Sequence, residues 1–188
     1  PDNLKRWKKT ASDTCKMCAQ QNSRPYKATL FHILNHCAAF LGDNERFKFR
    51  HDSVLSYITH TLKENRPESI QIYADLDGHK INGTTIPPHI TVTSSRCDLV
   101  IIDSSSSPPT VYLLELTICF ERPGNLEAAN QRKYERYTAL SEDIKAAGYL
   151  CKNIPFEVGS RGHLTLENKS TLSIMHKLCT PRTKFSNF

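Results

Sequence analysis

The apolar positions of the chain fall into two rhythms, and the clearest lies in its second half. Leu99 to Ile102 and Val111 to Cys119 are apolar runs separated by a Ser/Pro-rich stretch with no core character, the pattern of a β-hairpin with a long loop. Each run brings one carboxylate to a place where a buried strand has none: Asp98 and Glu115. If Asp103 faces Thr110 at the loop mouth, counting back five residues on each strand sets Asp98 opposite Glu115, with side chains roughly 5 Å apart. Charge placement alone leaves two readings open. Asp98 can be a solvated strand-start residue and Glu115 an edge-strand acid, or the two can share one divalent cation.

Elsewhere a helical period dominates. Leu30, Phe31, Leu34, Ala38 and Leu41 predict a helix within Tyr26 to Leu41, stopped by Gly42. Val54, Leu55, Ile58 and Leu62 predict a second from Phe47 to Glu64. Ile70 to Asp75 reads as a strand and Asp77-Gly78 as a turn, while His79 to Ser95, with Pro87 and Pro88, reads as a surface excursion. From Asn125 to Ala147 the residues Leu126, Tyr137, Leu140 and Ile144 share a helical stripe, and Lys133 lies on it too. That lysine either snorkels to solvent along its stem or extends an ammonium toward the carboxylate pair. Gly148 should end this helix, followed by a core strand from Tyr149 to Val158 and a tight turn at 159–162, where Arg161 either pins a phosphate or merely completes the turn. Thr165 to Leu178 suits a closing helix.

Composition narrows the class. A chain of 188 residues is long enough for one ordinary domain plus a small module. With 38% hydrophobic and 23% charged residues it is globular in character, and it shows neither a membrane-spanning run nor a secretory signal pattern. A net charge of +6 favours an anionic partner, for which nucleic acid is the usual candidate. Lys5, Arg6, Lys8 and Lys9 around Trp7 fit either a phosphate-touching arm or a solvated linker. The first residue is Pro1, so we read the sequence as a fragment of a longer chain.

The cysteines add a metal motif. Cys15 and Cys18 form C-x-x-C, and His32 and Cys37 follow at the spacing of a CCHC zinc site. His36 competes with Cys37 for the fourth position, and the thiols can also be read as plain core residues. A disulfide is disfavoured by the absence of a secretion signal and the odd count of seven cysteines.

Taken in order, R-x-D at Arg96 to Asp98, a short hairpin, E-L-T at Glu115 to Thr117, N-x-E at Asn125 to Glu127 and K-x-x-R-Y at Lys133 to Tyr137 lead to a closing P-F-E-V-G-S-R-G. This order resembles the restriction-like endonuclease domain of early-branching non-LTR retrotransposons, within the PD-(D/E)xK nuclease superfamily. The resemblance implies an α/β fold, a mixed central sheet flanked by helices, preceded by a small CCHC zinc knuckle that holds a structural zinc ion. It also implies that Asp98 and Glu115 bind Mg²⁺ or Mn²⁺, that Lys133 is the catalytic lysine displaced onto the helix, and that Arg136 and Tyr137 fill the trailing K-Y positions, with Tyr137 counted beside Asp98, Glu115 and Lys133 among the catalytic residues. Cys97 stands where the family usually has proline, and Thr117 where ordinary restriction enzymes have lysine.

On this resemblance the chain divides into a basic linker (1–14), the knuckle (15–44), the nuclease domain (45–178) and a tail (179–188). Arg96, Arg136, Arg161, His51 and Lys8 are the expected nucleic-acid contacts; His51 belongs to an R-H pair often found there and can instead pack against the active site or stand as a surface histidine. The expected activity is a metal-dependent nick in target DNA within the nucleus, whose 3′ hydroxyl primes a reverse transcriptase in the same polyprotein, with the element's RNA as a further partner. The alternative is a nucleic-acid-binding module without catalysis.

Overall fold

The computed structural model describes residues 5–9, 11–20, 25–42, 45–121, 131, 135, 137–164, 166 and 168–179. Its centre is a four-stranded mixed sheet in the order β1-β2-β3-β4, made of β1 (Ile70–Ala74), β2 (Leu99–Asp103), β3 (Thr110–Cys119) and β4 (Leu150–Gly159). β1, β2 and β3 run antiparallel to one another, whereas β4 returns parallel to β3. A parallel return needs a long crossover, and the segment between these two strands contains α4 (Thr138–Ala146). Gly148 ends that crossover at φ 91°, a conformation glycine adopts without a Cβ penalty.

β2 and most of β3 are buried on both faces, which explains why they read as continuous apolar runs. On one face Leu99, Ile101, Leu114 and Leu116 pack with Leu55 and Leu62 of α3 (Arg46–Asn65) and with Met175 and Leu178 of α5 (Asn168–Cys179). On the other, Val100, Ile102, Val111 and Leu113 meet Tyr137, Leu140 and Ile144. α3 stops where Arg66 turns extended at φ −76°, ψ 144°, the conformation Pro67 imposes on the residue before it. Asn168, at the start of α5, ties the helix to the sheet: its side chain accepts from the Glu157 amide and donates to the Glu157 carbonyl.

Two expectations change. Residues 79–95 form no strand or helix beyond an isolated bridge between Ile81 and Thr84, yet they are more than a surface excursion, because Ile86 and Ile90 are buried in the second core against the hairpin. The prolines around them interrupt any period that could have marked these residues as core. The single helix expected within Tyr26 to Leu41 is broken instead into a π-helical turn at His32–His36 and α2 (Ala38–Leu41), and a separate α1 (Lys16–Gln20) lies ahead of them. At the break Cys37 is extended, with φ −80° and ψ 91°.

Candidate functional site

Two sites emerge, and the first is the cysteine cluster. The bonding atoms of Cys15, Cys18, His32 and Cys37 all lie within 4.8 Å of one another, and all four residues are buried. The Cys15–Cys37 and Cys18–Cys37 sulfurs are 3.7 Å apart, and Cys18 Sγ is 3.3 Å from His32 Nε2. Zinc–sulfur arms of about 2.3 Å at tetrahedral angles give edges of roughly 3.8 Å, so the four donors are spaced for one zinc ion. His36 is exposed and packs edge-on against Phe31 outside the cluster, so Cys37 completes the set. The kink at Cys37 turns its sulfur inward, which a regular helix carrying both His32 and Cys37 would not do.

Burial, followed by the neighbouring Cys37 sulfur, pushes the Cys18 thiol up to about 12. A metal binding at this thiol therefore displaces its proton. Burial also lowers His32 and favours the neutral imidazole that ligates metal. The Tyr26 ring stacks on this imidazole at 5.1 Å.

The second site lies where three strand ends meet. The observed pairs Asp103↔Thr110 and Leu99↔Leu114 put Asp98 opposite Glu115 one residue further on, as the count along the hairpin requires. Leu116 N donates to Asp98 Oδ2 at 2.8 Å and Asp98 N to Glu115 Oε1 at 3.4 Å, so each acid is held against its neighbour's strand. The β1 register ends at Ala74↔Leu99, which carries Asp75 to the other side of Asp98, and Asp75 N donates to the Asp98 carbonyl at 2.9 Å. Asp75, Asp98 and Glu115 thus form one rung of acids across three strands.

A cavity of about 430 Å³ opens over this rung, completed by Ser94, Ser95, Arg96 and Tyr137. Asp75 was not legible as a site residue, because 24 residues separate β1 from β2 and no hairpin count sets their register.

His51 reaches the rung from the first turns of α3. Its Nε2 is 3.2 Å from Asp98 Oδ2 and its Nδ1 3.0 Å from Asp52 Oδ1. An imidazole facing carboxylates through both nitrogens is the doubly protonated form. The Asp98 bond, partly opposed by burial and then reinforced by Asp52, raises its pKa to about 9. Tyr137, expected in a catalytic position, is buried and donates its hydroxyl to the Arg96 carbonyl at 3.0 Å, bracing the segment that leads into Asp98. The Arg96 side chain is 55% exposed, with Nη1 3.9 Å from Asp75 Oδ1.

The remaining expected contacts scatter. Lys133 and Arg136 lie outside the described residues. Lys8 is exposed in the N-terminal arm at φ 55°. Arg161 donates through Nε at 3.0 Å and its backbone N at 2.8 Å to Glu121, while its guanidinium lies over the Phe120 ring. The absence of a side chain at Gly159 lets the Glu121 carboxylate lie against its backbone, since a Cβ there would meet that carboxylate.

The zinc-type module docks onto the same end of the sheet. Arg50 Nη1 donates to the Leu34 carbonyl at 2.9 Å, and Phe31 meets Phe120 edge-on at 5.0 Å. One contact precedes His51 in the chain and the other follows β3, which carries Glu115. Fold and site together define a mixed α/β protein with a four-stranded sheet and a Cys₃His cluster able to hold structural zinc. Comparison with family models, with curated proteins and with solved structures finds no match to this chain.

Proposed function

We propose that this chain is the restriction-like endonuclease region of a non-LTR retrotransposon polyprotein, a PD-(D/E)xK-type core preceded by a zinc knuckle, which nicks target DNA in the nucleus to prime reverse transcription. The observation that supports the reading is the rung: the hairpin register sets Asp98 opposite Glu115, and both line a polar cavity, a donor set of the hard-oxygen type that divalent cations take. The mixed sheet with helices on both faces is the architecture the resemblance implies, and the surplus of basic residues suits a polyanionic substrate.

In this scheme Asp98 and Glu115 hold Mg²⁺ or Mn²⁺, and the Leu116 amide fixes the Asp98 carboxylate in place. The ion, when bound, supplies Lewis-acid polarisation of a phosphoryl oxygen and a nucleophilic water at neutral pH. Lys133 takes the charge-neutralising role that the resemblance gives it. Tyr137 acts through the backbone of Arg96, holding the approach to Asp98 rigid.

The test is nicking of supercoiled plasmid. Wild type should convert it to the open circle only with added Mg²⁺ or Mn²⁺, and Asp98→Ala or Glu115→Ala should lower the rate at least about a hundredfold. DNA binding with no nicked product under any divalent ion would leave the non-catalytic binding module as the correct reading.

A further inference from the structure

Asp75, the third acid of the rung, already has partners. Lys80 Nζ lies 2.9 Å from its Oδ1, and Arg96 Nη1 lies 3.9 Å from the same oxygen. Two cations over one carboxylate give that end of the rung a surplus of positive charge, and His51 Nε2 faces Asp98 at 3.2 Å further along it. The positive end lies one strand spacing, about 5 Å, from Asp98. A polyanion approaching three bare acids would be repelled; here it meets an electropositive edge beside the acid pair.

Beyond Arg96 the surface continues. A second cavity of about 420 Å³ shares Ser94 and Arg96 with the cavity over the acids, and Asn82, Thr84, Thr91 and Thr93 line it further out. Among the described residues its wall includes no acidic side chain. Val92, also in that wall, is 90% exposed and so presents apolar surface outward within a polar groove. Hydroxyls, an amide, one guanidinium and an exposed aliphatic side chain suit a nucleic-acid strand, which offers phosphate oxygens and the apolar faces of sugar and base. The segment is anchored while its rim stays open, since Ile86 and Ile90 are buried in the core beneath it.

We propose that residues 80–96 form a guide for one strand of nucleic acid, with Lys80 and Arg96, seated together on Asp75, as the clamp for the phosphate next to the one over Asp98 and Glu115. This rests on reading the acid pair as the place where a phosphodiester is cut; strand binding itself does not require the cut. Asp75 is then a positioning residue for the two cations.

The experiment is fluorescence anisotropy of a labelled mixed-sequence DNA duplex, with Ca²⁺ in place of Mg²⁺, over about 50 to 200 mM salt. Lys80→Met and Arg96→Met should each weaken binding about tenfold and reduce the salt slope by about one, while Lys169→Met, an exposed lysine on α5, changes neither. Arg96→Met removes a side chain that is more than half exposed, so its result stands even if Lys80→Met fails to fold. Slopes for both variants equal to that of Lys169→Met, or no salt-dependent binding by wild type, would overturn the guide. If the slopes change as expected but wild type never nicks in Mg²⁺, the guide stands and the nuclease reading falls. Nicking that persists with unchanged slopes removes the guide and leaves the nuclease reading in place.

Discussion

His51 offers the sharpest quantitative test, because one side chain joins α3 to the acid rung through Asp98 while its other nitrogen faces Asp52 of the same helix. His51→Gln keeps a polar side chain of similar reach but removes the charge. In the folded protein the Asp98 contact, with burial opposing it and Asp52 assisting, raises the imidazole from 6.5 to about 9. That gap corresponds to on the order of 3 kcal/mol, an upper bound because the side chain remains 28% exposed and water screens both pairs.

The sign follows from linkage. A group whose folded pKa is raised contributes its full stability below its unfolded value near 6.5, and that contribution is lost as pH climbs through about 9. Urea denaturation of wild type and His51→Gln, without added divalent ion, should therefore show wild type more stable by roughly 2 to 3 kcal/mol at pH 6, with the two curves converging by about pH 10. A difference that stays constant across this range would refute the ion-pair argument and leave only a packing effect.

Two further outcomes follow from the module and its docking. Zinc content should be one ion per chain, and Cys37→Ser or strong chelation should abolish hydrogen-exchange protection across residues 15–41 while leaving β2 and β3 protected; protection that survives metal removal would show that the thiols are ordinary core residues. Arg50→Met removes the donor to the Leu34 carbonyl but keeps most of the aliphatic stem, so urea denaturation should show a loss of about 1 to 3 kcal/mol with zinc content unchanged; wild-type stability would mean that this strut contributes nothing to the docking.

Both candidate sites were partly legible because their signals are local. The hairpin count worked because, once Asp103 pairs with Thr110 at the loop mouth, every later pair follows by stepping one residue back on β2 and one forward on β3, down to Asp98 beside Glu115. The C-x-x-C spacing named the zinc-type donors for a similar reason, since a ligand pair within one turn is a short-range feature. The choice of Cys37 over His36 was not local: it depended on a kink that directs one side chain inward and leaves the other exposed. Arg161 shows the same limit, for nothing in its own turn points to Glu121, 40 residues earlier in the chain.

The sequence by itself therefore marked the four strands and the helices near 46–65 and 168–179, the Asp98–Glu115 pairing and the Cys15, Cys18, His32 and Cys37 spacing, with His36 left as a rival for the fourth place, all written in periodicity and close spacing. Tertiary structure alone decided that Asp75 extends the row of acids, that His51 bridges a helix to it, that Lys80 and Arg96 meet on one oxygen, and that Ile86 and Ile90 anchor an otherwise irregular segment. Those contacts join residues whose separation along the chain carries no period, and their partners are selected by which surfaces the packed sheet brings together.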